Sequence, residues 1–358
     1  MTVPAAPHAA LAAWAALRAS GTGRGALVTL IRAHGGAARN LGMHLALADD
    51  GRAFGMVTIG GCADGRALEA AQRVLRAERG EQLTIPLSED DALALGLGCA
   101  GDVELMVAPV SLTGDDPLAR ALDAAEGALA KGERVALAMS LTPGDGVLVG
   151  HADGQVSGST GDATRDRIGA ELARQAISGT TAIAGVHEAE GTAWFVQLLV
   201  PPRAVLVVGA TEVAAALCAV MAPLGWRATV VDSREELLAE PRFAQAHERI
   251  AGLPGEIAAK VLHGPDAPAV VLVAHDYRVE LPVLRVALRG DVPYVGMLGS
   301  KKRGNGVRAM LAEEGMTEGE LGRLRTPVGL AIGAEGPAEI AVSIVAELIS
   351  AWRQRARS

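Results

Sequence analysis

Short apolar runs with β-branched members recur along the chain, separated by glycine-rich or polar turns, and each predicts a buried strand. In the first part of the chain these runs are Ala26 to Ile31, Met43 to Ala48, Phe54 to Ile59 and Val103 to Val110. Asp49-Asp50-Gly51 supplies a turn, its glycine free to take positive φ. Elsewhere the apolar spacing becomes helical. Leu68, Ala71, Val74 and Leu75 form a stripe behind Asp64, which is placed as an N-cap, and Leu118, Leu122, Ala125 and Leu129 form another over Pro117 to Lys131. Leu11, Trp14 and Leu17 predict a helix near the start; no basic segment precedes it, so it reads as a first helix and not as a secretion signal. Arg134 to Ser140, Gly146 to Val149 and Thr192 to Leu199 predict further strands, and Arg165 to Gln175 a helix. No internal repeat is visible.

Pro201-Pro202 cannot continue a helix or a sheet and marks a domain boundary, giving domains 1–200 and 201–358. Beyond it strand and helix alternate. Val205 to Val208, Ala228 to Val231, Val270 to Ala274 and Tyr294 to Leu298 read as strands. Glu212 to Ala222, Pro282 to Leu288, Val307 to Glu314 and Pro337 to Gln354 read as helices. Short apolar strands alternating with helices pair in parallel, with both faces covered. The expected fold is therefore α/β: an N-terminal α/β domain followed by a C-terminal Rossmann-like, doubly wound parallel sheet.

Composition narrows the functional classes. Of 358 residues half are apolar, which is ample for two cores, and the net charge is −8. An acidic chain with only 3% aromatic residues is a poor nucleic-acid binder. Three cysteines cannot build a disulfide framework and fit a reducing, cytoplasmic setting. No apolar stretch approaches the ~20 residues of a membrane span.

The candidate chemistry sits in glycine-rich turns. After the strand ending at Val208 comes Gly209-Ala210-Thr211-Glu212-Val213-Ala214. A dinucleotide-binding turn asks for GxGxxG/A; Gly209 and Ala214 fit the first and third places. Thr211 occupies the second, where its branches crowd a pyrophosphate although its hydroxyl can bond one. Glu212 adds negative charge where an anion would sit. Asp232 ends the next strand, the place of a ribose-binding carboxylate. A nicotinamide-dependent oxidoreductase, NAD(P)-linked, is one reading; a Rossmann scaffold used for another ligand or for docking is the other.

Several segments, in order, carry a resemblance. They are Gly60-Gly61-Cys62, the turn Gly96 to Gly101 with Gly98 and Cys99, Gly209-Ala210, Val230 to Arg234, His275-Asp276, Tyr294 to Arg303, Pro327 to Leu330 and Pro337 to Ile349. The chain resembles the xanthine dehydrogenase accessory protein family, the XdhC/CoxI type. Its loop Gly35 to Gly42, with Arg39, departs from the family's usual form, as do Asp64, Ala100, Thr211 and Glu212. The resemblance implies an accessory, maturation-type chaperone more than a classical enzyme. Such a factor binds molybdenum cofactor (molybdopterin) as cargo, supports its sulfuration by a cysteine desulfurase and inserts it into a molybdenum hydroxylase of the xanthine or carbon monoxide dehydrogenase type. It further implies a homodimer without membrane or nucleic-acid partners, and a nucleotide at the Rossmann-like domain.

Physical reasons attach to each candidate. Cys62 follows two glycines and precedes a helix, whose N–H dipoles favour a thiolate able to attack sulfur or bind a soft metal. Glycines at 60 and 61 let a flat pterin approach the backbone. The alternative for Cys62 is a small buried cysteine in a tight turn. Cys99 lies in a similar turn; without a CxxC pair neither thiol suggests a structural zinc site. Cys218, inside an Ala-rich helix, reads as packing. Arg39 offers a bidentate guanidinium to a phosphate, or is a solvated loop arginine. Ser300, Lys301, Lys302 and Arg303 follow a strand end, as does His275, where open α/β sheets bind ligands. The cleft between the domains is the expected ligand site. A non-catalytic scaffold that docks a hydroxylase is the further alternative.

Overall fold

A computed structural model describes residues 9–35, 41–58, 61–87, 101–179, 184–264 and 267–355. The described residues up to Pro201 form one compact unit and those from Pro202 a second.

In the N-terminal unit α1 (Ala12–Ala19) leads into β1 (Arg24–Gly35), β2 (His44–Ala48) and β3 (Ala53–Gly55), then α2 (Asp64–Ala77), β4 (Glu81–Leu87) and β5 (Gly101–Ser111). These strands form an antiparallel sheet in the order β3-β2-β1-β5-β4. The chain continues through α3 (Pro117–Ala130), β6 (Val135–Ser140), β7 (Val147–His151), β8 (Val156–Gly158), α4 (Ala163–Ser178), β9 (Ala184–Ala189) and β10 (Thr192–Leu199). Their antiparallel sheet has the order β8-β7-β6-β10-β9. Element for element, the second set repeats the first. The unit is a structural duplication that the sequence does not display, because a core of fixed shape accepts many apolar side chains of similar volume.

Both sheets are buried on both faces. Ala26, Val28 and Leu30 of β1 pack under Ala67, Ala70, Ala71 and Val74 of α2. The alternate residues Leu27 and Ile31 enter a core shared by the two halves, with Leu137 and Phe195 from the second sheet and Trp14 and Leu122 from α1 and α3. On the far side, Trp194 and Val196 pack against Ile168, Leu172 and Ala173 of α4. Two expectations need correction. β3 stops at Gly55, not Ile59: Gly55 takes φ +74°, and a Cβ there would lie 2.5 Å from the His44 carbonyl. The Asp64 carboxylate does not cap α2, whose N-cap Ala63 has no side-chain bond; it reaches back into the preceding turn.

The C-terminal unit comprises β11 (Ala204–Val208), α5 (Glu212–Met221), β12 (Arg227–Asp232), α6 (Glu235–Leu238), β13 (Glu248–Ala251), α7 (Pro254–Val261), β14 (Ala269–Leu272), α8 (Tyr277–Arg289), β15 (Val295–Met297), α9 (Lys301–Glu313), α10 (Glu318–Gly322), β16 (Leu324–Arg325) and α11 (Gly336–Arg355). Its six strands are parallel, in the order β13-β12-β11-β14-β15-β16. One face packs on α5 and α11 through Val205, Leu217 and Leu348, the other on α7, α8 and α9 through Leu206, Leu284 and Val307. α8 and α9 begin earlier than their apolar stripes suggest, since each first turn is polar and is started by a capping side chain, Asp276 or Ser300. Between β11 and β14 the winding reverses, and the crevice at such a switch point is where doubly wound sheets take ligands.

Candidate functional site

In the N-terminal unit the thiol loop is built from its two ends. Asp64 Oδ1 accepts the backbone N–H of Val57 and of Thr58 and the Thr58 hydroxyl, each at 3.2 Å. The Thr58 oxygen in turn accepts the Ala63 N–H at 3.2 Å. Gly61 takes φ +73°, and its N–H donates to the Thr58 carbonyl at 3.0 Å. Between these fixed points sits Cys62, half-buried against the α2 core and two residues before the helix. Cys62 thus sits in the turn that opens α2, partly open to solvent. Cys218, by contrast, is fully buried, and burial pushes its thiol up to about 12.

Cys99, Gly98, Arg39 and Gly60 lie outside the described residues. Among the described residues one group could hold a metal ion: ligand atoms of His34, Asp102 and Glu104 lie within 4.8 Å of one another. Arg32 Nη1 already sits 2.9 Å from the Glu104 carboxylate, a cation in competition with any ion there.

In the C-terminal unit the crest of the sheet gathers the remaining candidates. Gly209 takes φ +109°, and a Cβ on it would lie 2.7 Å from Cα of Ala274, so only glycine lets the β11 turn approach the end of β14. Thr211 is the N-cap of α5; its hydroxyl oxygen accepts the Ala214 N–H at 3.3 Å. Asp232 is 5% exposed and fully engaged. Its oxygens accept the Ala210 N–H at 2.7 Å, the Arg234 N–H at 3.0 Å, and Arg234 Nε and Nη2 at 2.9 and 2.8 Å. Burial alone would raise this carboxyl, but the Arg234 guanidinium and the two N–H groups outweigh it and hold it at about 2.

His275 holds a left-handed backbone, φ +57°, uncommon for a residue with a side chain. Its N–H donates at 3.0 Å to Glu280, a carboxylate with no exposure. Arg303 Nη2 donates to the other Glu280 oxygen at 2.5 Å and Nη1 to the Leu298 carbonyl at 3.1 Å, while the guanidinium lies 4.7 Å from the centre of the Tyr277 ring. Ser300 caps α9 by accepting the Arg303 N–H, and Lys301 and Lys302 project from the first turn. The structure thus brings His275 and Arg303 together through Glu280, while Ser300 acts on the backbone.

Residues 205–348 match the family described as the XdhC Rossmann domain, and residues 17–86 match the XdhC and CoxI family. The chain belongs to the XdhC and CoxI family. Over 333 residues it is 26% identical to a probable xanthine dehydrogenase subunit of Bacillus subtilis (strain 168), covering 90% of this chain and 92% of that protein. Over 82 residues it is 37% identical to the molybdenum cofactor insertion chaperone PaoD of Escherichia coli (strain K12), covering 23% of this chain and 26% of PaoD. The crystal structure of a xanthine dehydrogenase from Bacillus halodurans superposes with a TM-score of 0.79 at 25% identity, covering 97% of this chain and 96% of that one.

In this XdhC/CoxI protein the residue that sequence reasoning missed is Glu280. Its only signal is an acidic residue between Val279 and Leu281 on a helix that must face the sheet. The Thr58–Asp64 brace was missed as well, Asp64 being expected as an N-cap; the same spacing recurs in the second half of the unit as Thr160 and Asp166.

Proposed function

We propose that the protein is a maturation factor for a molybdenum hydroxylase of the xanthine or carbon monoxide dehydrogenase type, that it holds molybdenum cofactor as cargo, and that Cys62 is the working thiol. The observation that supports this most directly is the Cys62 loop: a solvent-reached sulfur beside a helix start, its backbone pinned by Thr58 and Asp64. A thiolate there can engage the soft molybdenum centre or receive sulfur from a cysteine desulfurase persulfide. Arg39 and Cys99 are assigned the phosphate and a supporting sulfur. His275, held by Glu280 and Arg303, and Thr211, beside the glycine turn at 209, are assigned to a nucleotide-like part of the ligand at the switch-point crevice.

Asp232 speaks against nicotinamide chemistry. A ribose would have to displace Arg234 and backbone N–H groups that already saturate the carboxylate. The test is titration of the purified protein with molybdenum cofactor, wild type beside Cys62→Ala. Retention by the wild type and loss in the variant is expected. Equal retention removes Cys62 from the mechanism, and retention by neither leaves a scaffold that docks a hydroxylase without handling cofactor.

A further inference from the structure

The duplication places a second pair of loops where the first half has its candidate site. The connection from β1 to β2, which carries Arg39, corresponds to that from β6 to β7. The connection from β3 to α2, which carries Cys62, corresponds to that from β8 to α4. The brace is present in both halves. Asp166 Oδ1 accepts the Thr160 N–H at 2.6 Å and its hydroxyl at 2.7 Å, as Asp64 does for Thr58. The position two residues before the aspartate is Cys62, in the turn ahead of α2, in one half and Thr164, in the first turn of α4, in the other, so the second half keeps the brace and has no thiol there.

These second-half loops line a cavity of about 850 Å³, closed on its other side by β5 and the start of α3. That volume suits a small-molecule ligand. Its walls are mixed: Met106, Met139, Leu118 and Val147 supply a partly thioether apolar surface that accepts a flat ring, and charged residues, Arg120 among them, line the rest. Asp145 faces the cavity with its side chain 12% exposed. Its Oδ2 takes both the Ser140 hydroxyl, at 2.7 Å, and Arg165 Nη1, leaving Oδ1 to a ligand N–H. The other lining carboxylates are engaged elsewhere: Glu78 with Arg24 at 2.8 Å, and Asp116 with the N–H groups of Ser111 and Ala119. Arg79 stands at the margin.

We propose that this cavity is a second ligand site, which takes a flat heterocycle by its aminopyrimidine edge, one N–H donor of that edge meeting Asp145 Oδ1 and an anionic substituent meeting Arg79. Guanine and pterin share that edge, an amino group beside a ring N–H, and a fixed carboxylate acceptor selects for it. The proposal does not depend on the thiol reading.

The test is run on full-length Cys62→Ala protein, so that the first-half thiol contributes nothing. Two probes, 6-carboxypterin and guanosine 5′-monophosphate, are titrated by fluorescence or calorimetry, each beside its parent without the anionic group. Saturable binding of one equivalent by either probe is expected, and the preferred probe tells pterin from purine. Asp145→Asn should weaken it by about tenfold or more. Arg79→Ala, on the exposed margin, should weaken only the anionic probe, by about fivefold, and leave its parent unchanged. No saturable binding of either probe overturns the proposal, as does binding that neither variant changes. Should Asp145→Asn fail to fold, Arg79→Ala decides alone.

Discussion

The Asp64 carboxylate and the Thr58 hydroxyl hold one another at 3.2 Å across the thiol loop, through the same oxygen that takes two backbone N–H groups. Asp64→Ala leaves those donors without their partner in a part-buried turn. It should cost about 1–3 kcal/mol of stability, read by urea denaturation, and it should raise the rate at which a disulfide reagent labels Cys62 by several-fold. Asp166→Ala, at the matching place in the second half, should destabilise similarly and leave the Cys62 labelling rate unchanged.

The two described cysteines should separate cleanly in native alkylation followed by peptide mass spectrometry. Cys62 should react, because solvent reaches it, whereas Cys218 should react only in denaturant, being sealed in the sheet core with its thiol pushed up to about 12.

Asp232 predicts an acid dependence with a defined sign. Its carboxyl is held at about 2 in the folded protein, below the ~3.9 of an unfolded aspartate. The stabilisation is present above about pH 4 and is lost as pH falls through about 2, an effect of roughly 2 kcal/mol. Urea midpoints measured between pH 5 and pH 2 should therefore fall more steeply for the wild type than for Asp232→Asn.

Glu280 is the buried partner of Arg303 and the acceptor for the His275 N–H. Removing one member of a buried pair leaves an uncompensated charge, so Glu280→Ala should destabilise by about 3–5 kcal/mol in chemical denaturation. Glu280→Gln keeps an acceptor for one of the two donors and turns an NH2 toward the other, so it should recover only part of that loss. If His275 serves a ligand, its contribution should fall in parallel, seen as weaker cofactor retention at a temperature where both variants are folded.

Gly209→Ala should show what the close approach of β11 to β14 requires. The new methyl would meet Cα and N of Ala274 at 2.7 and 2.9 Å, on a residue already at φ +109°. A loss of about 1–3 kcal/mol is expected, read as a lower urea midpoint.

The C-terminal sheet was legible because parallel strands buried on both faces read as unbroken apolar runs, as in Val205 to Val208 and Val270 to Leu272. β13 and β16 were not: Glu248–Ala251 has exposed polar positions and Leu324–Arg325 is two residues long, so neither leaves an apolar run. In the N-terminal unit β4 escaped notice for a similar reason, since Glu81–Leu87 alternates and contains Pro86. The duplication was invisible because its halves share geometry, not residues; only Thr and Asp at a common spacing survive in the residue pattern. At the candidate site, Cys62, His275 and Arg303 were singled out from their places at strand ends and helix starts. Glu280 was not, because a buried carboxylate is recognised by the partners the fold brings to it.

The shared core of the N-terminal unit makes its two halves inseparable. Leu27 and Ile31 on one side and Leu137 and Phe195 on the other fill the same interior. A fragment ending before Pro117 would expose that whole interior to water. The thiol loop therefore cannot travel as a portable module: shuffling or excision of the first half alone would yield an aggregating peptide, and however far the second half drifts in sequence, it has to stay in place as a lid.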